Sequence, residues 1–373
     1  MLFQKLMGKG PTSMVSPSAP IKLFSWGRNS YGQLGLNLGY GNTLSPVQVG
    51  ALTTWASISC GNDFASAIKT TGELFTWGKN DTYGQLGLGD IINRSSPVQV
   101  GTLTTWSKVA CGKLHTLAIK TTGALWSWGS GAAGRLGKGN ATNYSSPVQV
   151  GALNTWATAA AGGSHSLAIK TTGELFSWGY NNFGQIGLGD TTFRNSPVQV
   201  GSLTTWAKVA CGRYHTAAVK TTGELFTWGK NSVGQLGKGN TTDLSAPVQV
   251  GTLTTWARVA CGAYHTVAVK TTGEMFAWGK GLNGELGVGN TTYYSSPVQI
   301  GSLTTWASVT GGYAHSLAIK NTGELFAWGI GSFGRLGKGN TISYSSPVQV
   351  GALTTWQEVS TGGTGAHTIA RTI

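Results

Sequence analysis

Hydrophobic and polar residues follow one another in short runs, and no segment carries a helical period. Residues 106–111, Trp-Ser-Lys-Val-Ala-Cys, predict one strand. Residues 115–120, His-Thr-Leu-Ala-Ile-Lys, predict a second, alternating and partly β-branched. Thr-Thr-Gly follows, a short hairpin turn that places Gly where positive φ is needed. A third strand is predicted at Glu224-Leu-Phe-Thr-Trp-Gly229, then a glycine-rich loop at Gly234-Gln-Leu-Gly-Lys-Gly-Asn240. Ser-Pro-Val-Gln-Val makes a fourth strand, and its Pro suits a sheet edge, where no ladder N–H is lost.

This four-strand pattern repeats. Pro-Val-Gln recurs at Pro46, Pro97, Pro147, Pro197, Pro247, Pro297 and Pro347, in one step of 51 residues and five of 50. Trp-Gly recurs at Trp26, Trp77, Trp128, Trp178, Trp228, Trp278 and Trp328. A third marker is Trp55, Trp106, Trp156, Trp206, Trp256, Trp306 and Trp356, so only Trp126 of the 15 Trp falls outside the pattern. Units of this length with four strands are propeller blades. The expected fold is therefore an all-β, seven-bladed propeller over residues 21–373, preceded by an extended leader at 1–20. Blades are expected at about 50–100, 101–150, 151–200, 201–250, 251–300 and 301–350. The seventh would join residues 351–373 to 21–49, because the chain opens on a third strand and ends on a second. Pairing of the terminal strands would close the ring and remove an exposed sheet edge.

Composition narrows the classes. Gly is 58 of 373 residues, and charged residues are only 10%. Aromatic and aliphatic residues are too frequent for disorder. The glycines lack a three-residue period, which excludes collagen. No apolar run reaches the roughly 18 residues of a membrane helix.

The pattern Gly-x-x-His-[Thr/Ser]…Gly-Glu-Leu-Phe-x-Trp-Gly…Gly-Gln-Leu-Gly-x-Gly resembles the regulator of chromosome condensation repeat family, over residues 21–373. In its near-identical units and Ser/Thr/Asn-rich surface it is most similar in style to prokaryotic and viral members. The resemblance implies a seven-bladed propeller but no single function, since the family includes a chromatin-bound nucleotide exchange factor, a plant UV-B photoreceptor and bacterial β-lactamase-inhibitory proteins. The photoreceptor's clustered Trp residues would fall at Leu114, Ser164, Tyr214, Tyr264, Ala314 and Ala366, so light sensing is not expected. The even spacing leaves little room for the exchange factor's inserted wedge; the one internal insertion is near Thr364-Gly365.

Candidate chemistry is sparse. His115, His165, His215, His265, His315 and His367 share one repeat position, with Phe64 in the seventh place. On a ring of roughly 10 Å radius they would lie about 9 Å apart, too far to share a metal. They are expected to be structural, bonding neighbouring backbone, as are the tryptophans Trp77, Trp128, Trp178, Trp228, Trp278 and Trp328. Cys60, Cys111, Cys211 and Cys261 also share a position, too far apart for disulfides. The glycine-rich loop lacks the following helix and the Gly-Lys-[Ser/Thr] of a phosphate loop. Breaks in the repeat occur at Asp63-Phe64, Ile91-Ile92-Asn93-Arg94, Ala124 with Trp126, Glu285, Glu358, Leu38-Gly39-Tyr40 and Thr364-Gly365. None pairs a nucleophile with a base, so neither a catalytic site nor a metal or cofactor is expected.

Lys+Arg outnumber Asp+Glu by 26 to 12, giving +14. Lys69, Lys120, Lys170, Lys220, Lys270 and Lys320, with Arg371, end the second strands; five precede a Glu four residues on that would neutralise them. Lys138, Lys238 and Lys338, with Arg135 and Arg335, sit in the glycine-rich loops of alternate units. Lys108, Lys113, Lys208, Arg213 and Arg258 lie near first strands. Lys138, Lys238, Lys338, Arg135, Arg335, Arg213, Tyr214 and Tyr264 are the candidate partner-binding residues. Without a dense run or basic tail, the charge fits a solvated disc better than a nucleic-acid surface. The expected function is a non-catalytic structural or interaction module that presents loop faces to a protein or glycan, as in a virion or surface attachment component. Nucleotide exchange or chromatin and DNA binding is the alternative. The leader, Pro-rich and without a standard secretory signal, would dock to an assembly.

Overall fold

In the computed structural model, which describes residues 20–373, each repeat forms a four-stranded antiparallel sheet. In the fourth, Trp206–Cys211, His215–Lys220, Leu225–Gly229 and Leu244–Gln249 pair in sequence order. Six such blades span 55–99, 106–149, 156–199, 206–249, 256–299 and 306–349 and are numbered 1 to 6 below. The first strands of successive blades touch one another and so line the axis. The Pro-Val-Gln strands pair on one side only and form the rim. The leader expectation falls almost wholly on residues 1–19, outside the described residues.

Blade 7 is composite. Trp356–Thr361 and His367–Thr372 pair with Leu23–Gly27 and Thr43–Gln48. The joining register runs from Leu23 opposite Arg371 to Gly27 opposite His367. The ring is closed by its terminal strands, as the half-units at each end of the repeat predict.

Apolar packing lies between blades rather than in one central mass. Ala217, Leu225 and Val250 of blade 4 and its linker pack against Trp256, Ala268 and Trp278 of blade 5. Trp256 meets Phe276 edge-on at 5.5 Å and Trp278 at 6.2 Å, the offset geometry that aromatic quadrupoles favour. Trp126 holds the place that Phe176, Phe226, Phe276 and Phe326 hold elsewhere and makes the same contact, with Trp106 at 6.1 Å. The glycine-rich loop of each blade wedges against the next. Gly237 has φ +70°, and a Cβ there would lie 2.7 Å from Trp278 Nε1. The loop thus serves blade contact.

The strand directions define two faces. The Thr-Thr-Gly hairpins and Gly-x-Leu-Thr-Thr linkers lie on a hairpin face. The Gly-x-x-His loops and the segments after Trp-Gly lie on a loop face.

Gly237→Ala is expected to lower stability by about 2–4 kcal/mol, through positive φ and the indole clash together. Gly251→Ala, with φ +61° and nothing within 4 Å, should cost only about 1 kcal/mol. Denaturant midpoints of the two variants check the difference; equal losses would remove the indole contact from the account.

Candidate interaction faces and the axial channel

The repeated His residues sit at blade seams and are wholly buried. His165 Nε2 lies 3.0 Å from Thr216 Oγ1 of the next blade, and Thr216 donates to Gln185 O at 2.8 Å. The hydroxyl's one proton is therefore used on the carbonyl, so the imidazole must donate from Nε2. The same pair of bonds links His115 with Ser166, His215 with Thr266, and His265 with Ser316. The immediate partner is thus a neighbouring hydroxyl, and backbone is reached through it. Burial holds His165 and His265 down at about 3 and His215 and His367 at about 4. A Cβ on Gly212 would lie 2.2 Å from His215 Cε1, so the ring has its seat only over glycine. Carbonyls at this loop position, Gln185 apart, also receive an indole: Trp77, Trp128, Trp178, Trp278 and Trp328 Nε1 bond Gln33, Gln85, Arg135, Gln235 and Glu285 O at 2.9–3.0 Å. Trp228 Nε1 is buried without such a partner.

The His bond is missing at three consecutive seams. His315 and His367 have no Nε2 partner, and Phe64 has no donor. Ala65 supplies no hydroxyl to His367.

The loop-borne cations expected to meet a partner are not brought together. Lys138, Lys238 and Lys338 fold back, and their ammonium groups donate to Gln149, Gln249 and Gln349 O of their own blades. Arg135 and Arg335 are only 7% and 4% exposed. Arg135 Nε bonds Ala132 O, Arg335 bonds Ser332, and burial lowers both guanidinium groups to about 10.

Arg213, Tyr214 and Tyr264 do converge, on the loop face. Arg213 Nη1 donates to Tyr264 Oη at 2.7 Å and lies 5.2 Å from the Tyr214 ring. Tyr214 packs on Phe183 at 5.4 Å and Tyr180 at 6.1 Å, while Tyr264 packs on Tyr313 at 6.2 Å. Lys230 lies 4.4 Å over Phe183, and Lys280 lies 5.7 Å from Tyr264. These residues form a ridge across blades 3 to 6. Among the described residues, no carboxylate forms an ion pair with Arg213, Lys230 or Lys280. On the opposite arc, Arg28 lies between Tyr31 and Phe333, and Lys79 covers Tyr31 at 4.3 Å. There, carboxylates are present: Asp63 lies 3.8 Å from Arg28, and Asp81 3.8 Å from Lys79.

The hairpin face differs from its sequence reading. Of the five Lys/Glu pairs only Lys69 and Glu73 come within ion-pair distance, at 3.7 Å. Lys170, Lys220, Lys270 and Lys320 instead lie 4.5 Å over Phe176, Phe226, Phe276 and Phe326, and Lys120 lies 4.0 Å over Trp126. The glutamates accept from Thr hydroxyls two residues earlier, which holds their pKa below the ordinary value. Lys69 and Glu73 pair despite the same two alternatives, the Phe75 ring at 5.0 Å and the Thr71 hydroxyl.

At the axis, a cavity of about 810 Å³ opens on the hairpin face, bordered by Lys108, Thr158, Lys208, Arg258, Ser308 and Glu358. Toward the loop face, Gly363 and Thr364 fill the channel, and a space of only about 10 Å³ remains beside Cys111, Ala161 and Cys211. The insertion at Thr364-Gly365 is thus a plug. The four thiols near it are free, and burial raises them, Cys111 to about 11 and Cys261 to about 12. Glu358 is held by Arg371 Nε at 2.7 Å. Of the three acids that break the repeat, Asp63 and Glu358 are engaged by arginine, while Glu285 is buried and accepts from the Asn283 N–H.

The sequence profile of the RCC1-like domain matches residues 148–373, and that of the regulator of chromosome condensation (RCC1) repeat matches 22–68, 71–119 and 122–169. The chain belongs to the RCC1 repeat family. The human probable E3 ubiquitin-protein ligase HERC3 is 36% identical over 115 residues, 30% of this chain and 11% of the relative. The Arabidopsis thaliana mitochondrial RCC1 domain-containing protein RUG3 is 40% identical over 119 residues, 30% of this chain and 26% of the relative. The matched stretch is therefore a minor part of each relative. Among solved structures, human WBSCR16 superposes with TM-score 0.83 at 24% identity, over 94% of this chain and 98% of that one. Prp20p of Saccharomyces cerevisiae, described with its binding to Gsp1p and histones, gives 0.82 at 20%, over 95% and 92%. These likenesses establish the fold.

Within the RCC1 repeats, the sequence points to Arg213, Tyr214 and Tyr264 but not to Tyr180, Phe183, Lys230 and Lys280, which lie beside them. For all of these four but Phe183 the signal is the column after Trp-Gly, which reads Arg28, Lys79, Ser130, Tyr180, Lys230, Lys280 and Ile330. A repeat that keeps its framework and varies one loop column marks that column as free of framework duty.

The buried His residues predict acid sensitivity. Their folded pKa values lie below the ordinary 6.5, so the unfolded chain binds more protons. Their stabilising share is complete above about pH 6.5 and is lost as pH falls toward 3–4. Thermal midpoints should drop across that window. His215→Phe, which copies the Phe64 arrangement, should make the drop shallower; an unchanged slope would refute the assignment.

Proposed function

We propose that this RCC1-like propeller is a non-catalytic docking module whose loop-face ridge holds an acidic surface of a protein partner. The carrying observation is the set Arg213, Lys230 and Lys280, none of them in an ion pair among the described residues though the buried Glu285 lies near Lys280, interleaved with half-buried Tyr and Phe rings. Aromatic and Arg side chains of this kind make the anchors of protein interfaces. Relatives of the fold bind proteins, Gsp1p and histones in the case of Prp20p. The rings here pack on one another and lie under cations, which leaves few open faces for stacking a base or a sugar. That favours a protein over single-stranded nucleic acid or glycan. An attachment role for the assembly that contains the protein, with residues 1–20 as its tail, is the finer form of the same proposal.

The test compares the protein with an Arg213→Ala, Lys230→Ala, Lys280→Ala variant in binding an identified partner from its native assembly. Loss of at least about tenfold in affinity is expected, from removal of charge-assisted contacts. Nuclease treatment should leave wild-type binding unchanged. Binding abolished by nuclease would favour the nucleic-acid alternative, and stimulated nucleotide release from a small GTPase would favour the exchange alternative.

A further inference from the structure

We propose that the axial cavity on the hairpin face binds a small, multiply phosphorylated anion. The third position of the first strand is a hydroxyl residue in three blades, at Ser57, Thr158 and Ser308. In three others it is Lys108, Lys208 or Arg258. The side chains of all but Ser57 border one cavity of about 810 Å³, a volume suited to a ligand larger than a lone phosphate.

Two of the three cations are tethered, and among the described residues none of the three is in an ion pair. Lys108 and Lys208 each donate one bond to the carbonyl of the following blade's alanine, Ala157 and Ala257. That tethers both ammonium groups at the rim and leaves each with further N–H groups. The carboxylate at the same position in blade 7, Glu358, is already bound to Arg371 at 2.7 Å, so that pair is neutral as a unit. Lys208 has its pKa lowered by burial and, secondarily, by the nearby Arg258 charge. Like charges crowded in a concave site attract an anion that lies between them. Phosphate oxygens fit Arg and Lys donors in this way.

The shape limits the ligand. Gly363 and Thr364 close the far end of the channel, so a polymer cannot thread it. A free polyphosphorylated metabolite can fill the cavity; the backbone of a nucleic acid carries the same groups but would have to lie across the mouth.

Isothermal titration of the full chain with tripolyphosphate at low salt tests this. One saturable site per chain is expected, weakening as salt rises. Lys208→Thr with Arg258→Ser, the residue types other blades carry, should weaken it by at least roughly tenfold. Lys108→Ser alone should weaken it less, and Lys230→Ala on the loop face not at all. Thermal melts of the same variants report whether they remain folded. The proposal is overturned if the wild type shows no saturable binding at millimolar probe. It is equally overturned if a folded double variant binds as tightly, or if an oligothymidylate binds the cavity cations more tightly than tripolyphosphate.

Discussion

At six of the seven seams an indole N–H reaches a loop carbonyl of the preceding blade, and at most seams a Ser or Thr hydroxyl reaches the same oxygen. This shared acceptor sets the geometry of the whole ring. A buried carbonyl has two lone pairs, and an unmet one is costly. Meeting both from the next blade fixes the distance and tilt between sheets. The glycine at Gly237 then follows, because the loop that offers the carbonyl passes too near the indole for a Cβ. The Trp-Gly marker, the Ser/Thr after His and the glycine-rich loop are parts of one joint.

A frame specified by its seams leaves its loops free to vary. The loop face spends that freedom on aromatic and cationic residues. The hairpin face keeps nearly uniform turns, Ala124 and Asn321 being exceptions, and varies in charge at the first-strand position that borders the axis. One chain thus carries two chemically different surfaces, separated by the Gly363–Thr364 plug.

The strands, the seven units and the closing pair could be read from residues alone, because each depends on local alternation and fixed spacing. The fate of individual cations could not. Lys138, Lys238 and Lys338 look available in the sequence but find a carbonyl eleven residues away. The Arg213–Tyr264 contact joins residues 51 apart, a separation that carries no local pattern. The four-residue Lys/Glu spacing suggests local pairing, yet at four of the five turns the ammonium lies over a ring face and the carboxylate accepts from a Thr hydroxyl. The insertion at Thr364-Gly365 was visible, but its direction across the axis depends on the packing of all seven first strands.

The missing imidazole bonds fall on both sides of blade 7 and at the seam beyond Phe64, so they are neighbours on the ring. Blades 2 to 6 are fastened by four consecutive His–hydroxyl links, while blades 6, 7, 1 and 2 meet without any. Those three seams carry hydroxyl bonds of another kind, Thr310 with Thr361, Ser360 with the Cys60 N–H and Ser59 with the Cys111 N–H, at a strand position that is Ala in the other blades. One ring is thus fastened by two sorts of joint, and the second sort gathers around the blade that the two ends of the chain build together.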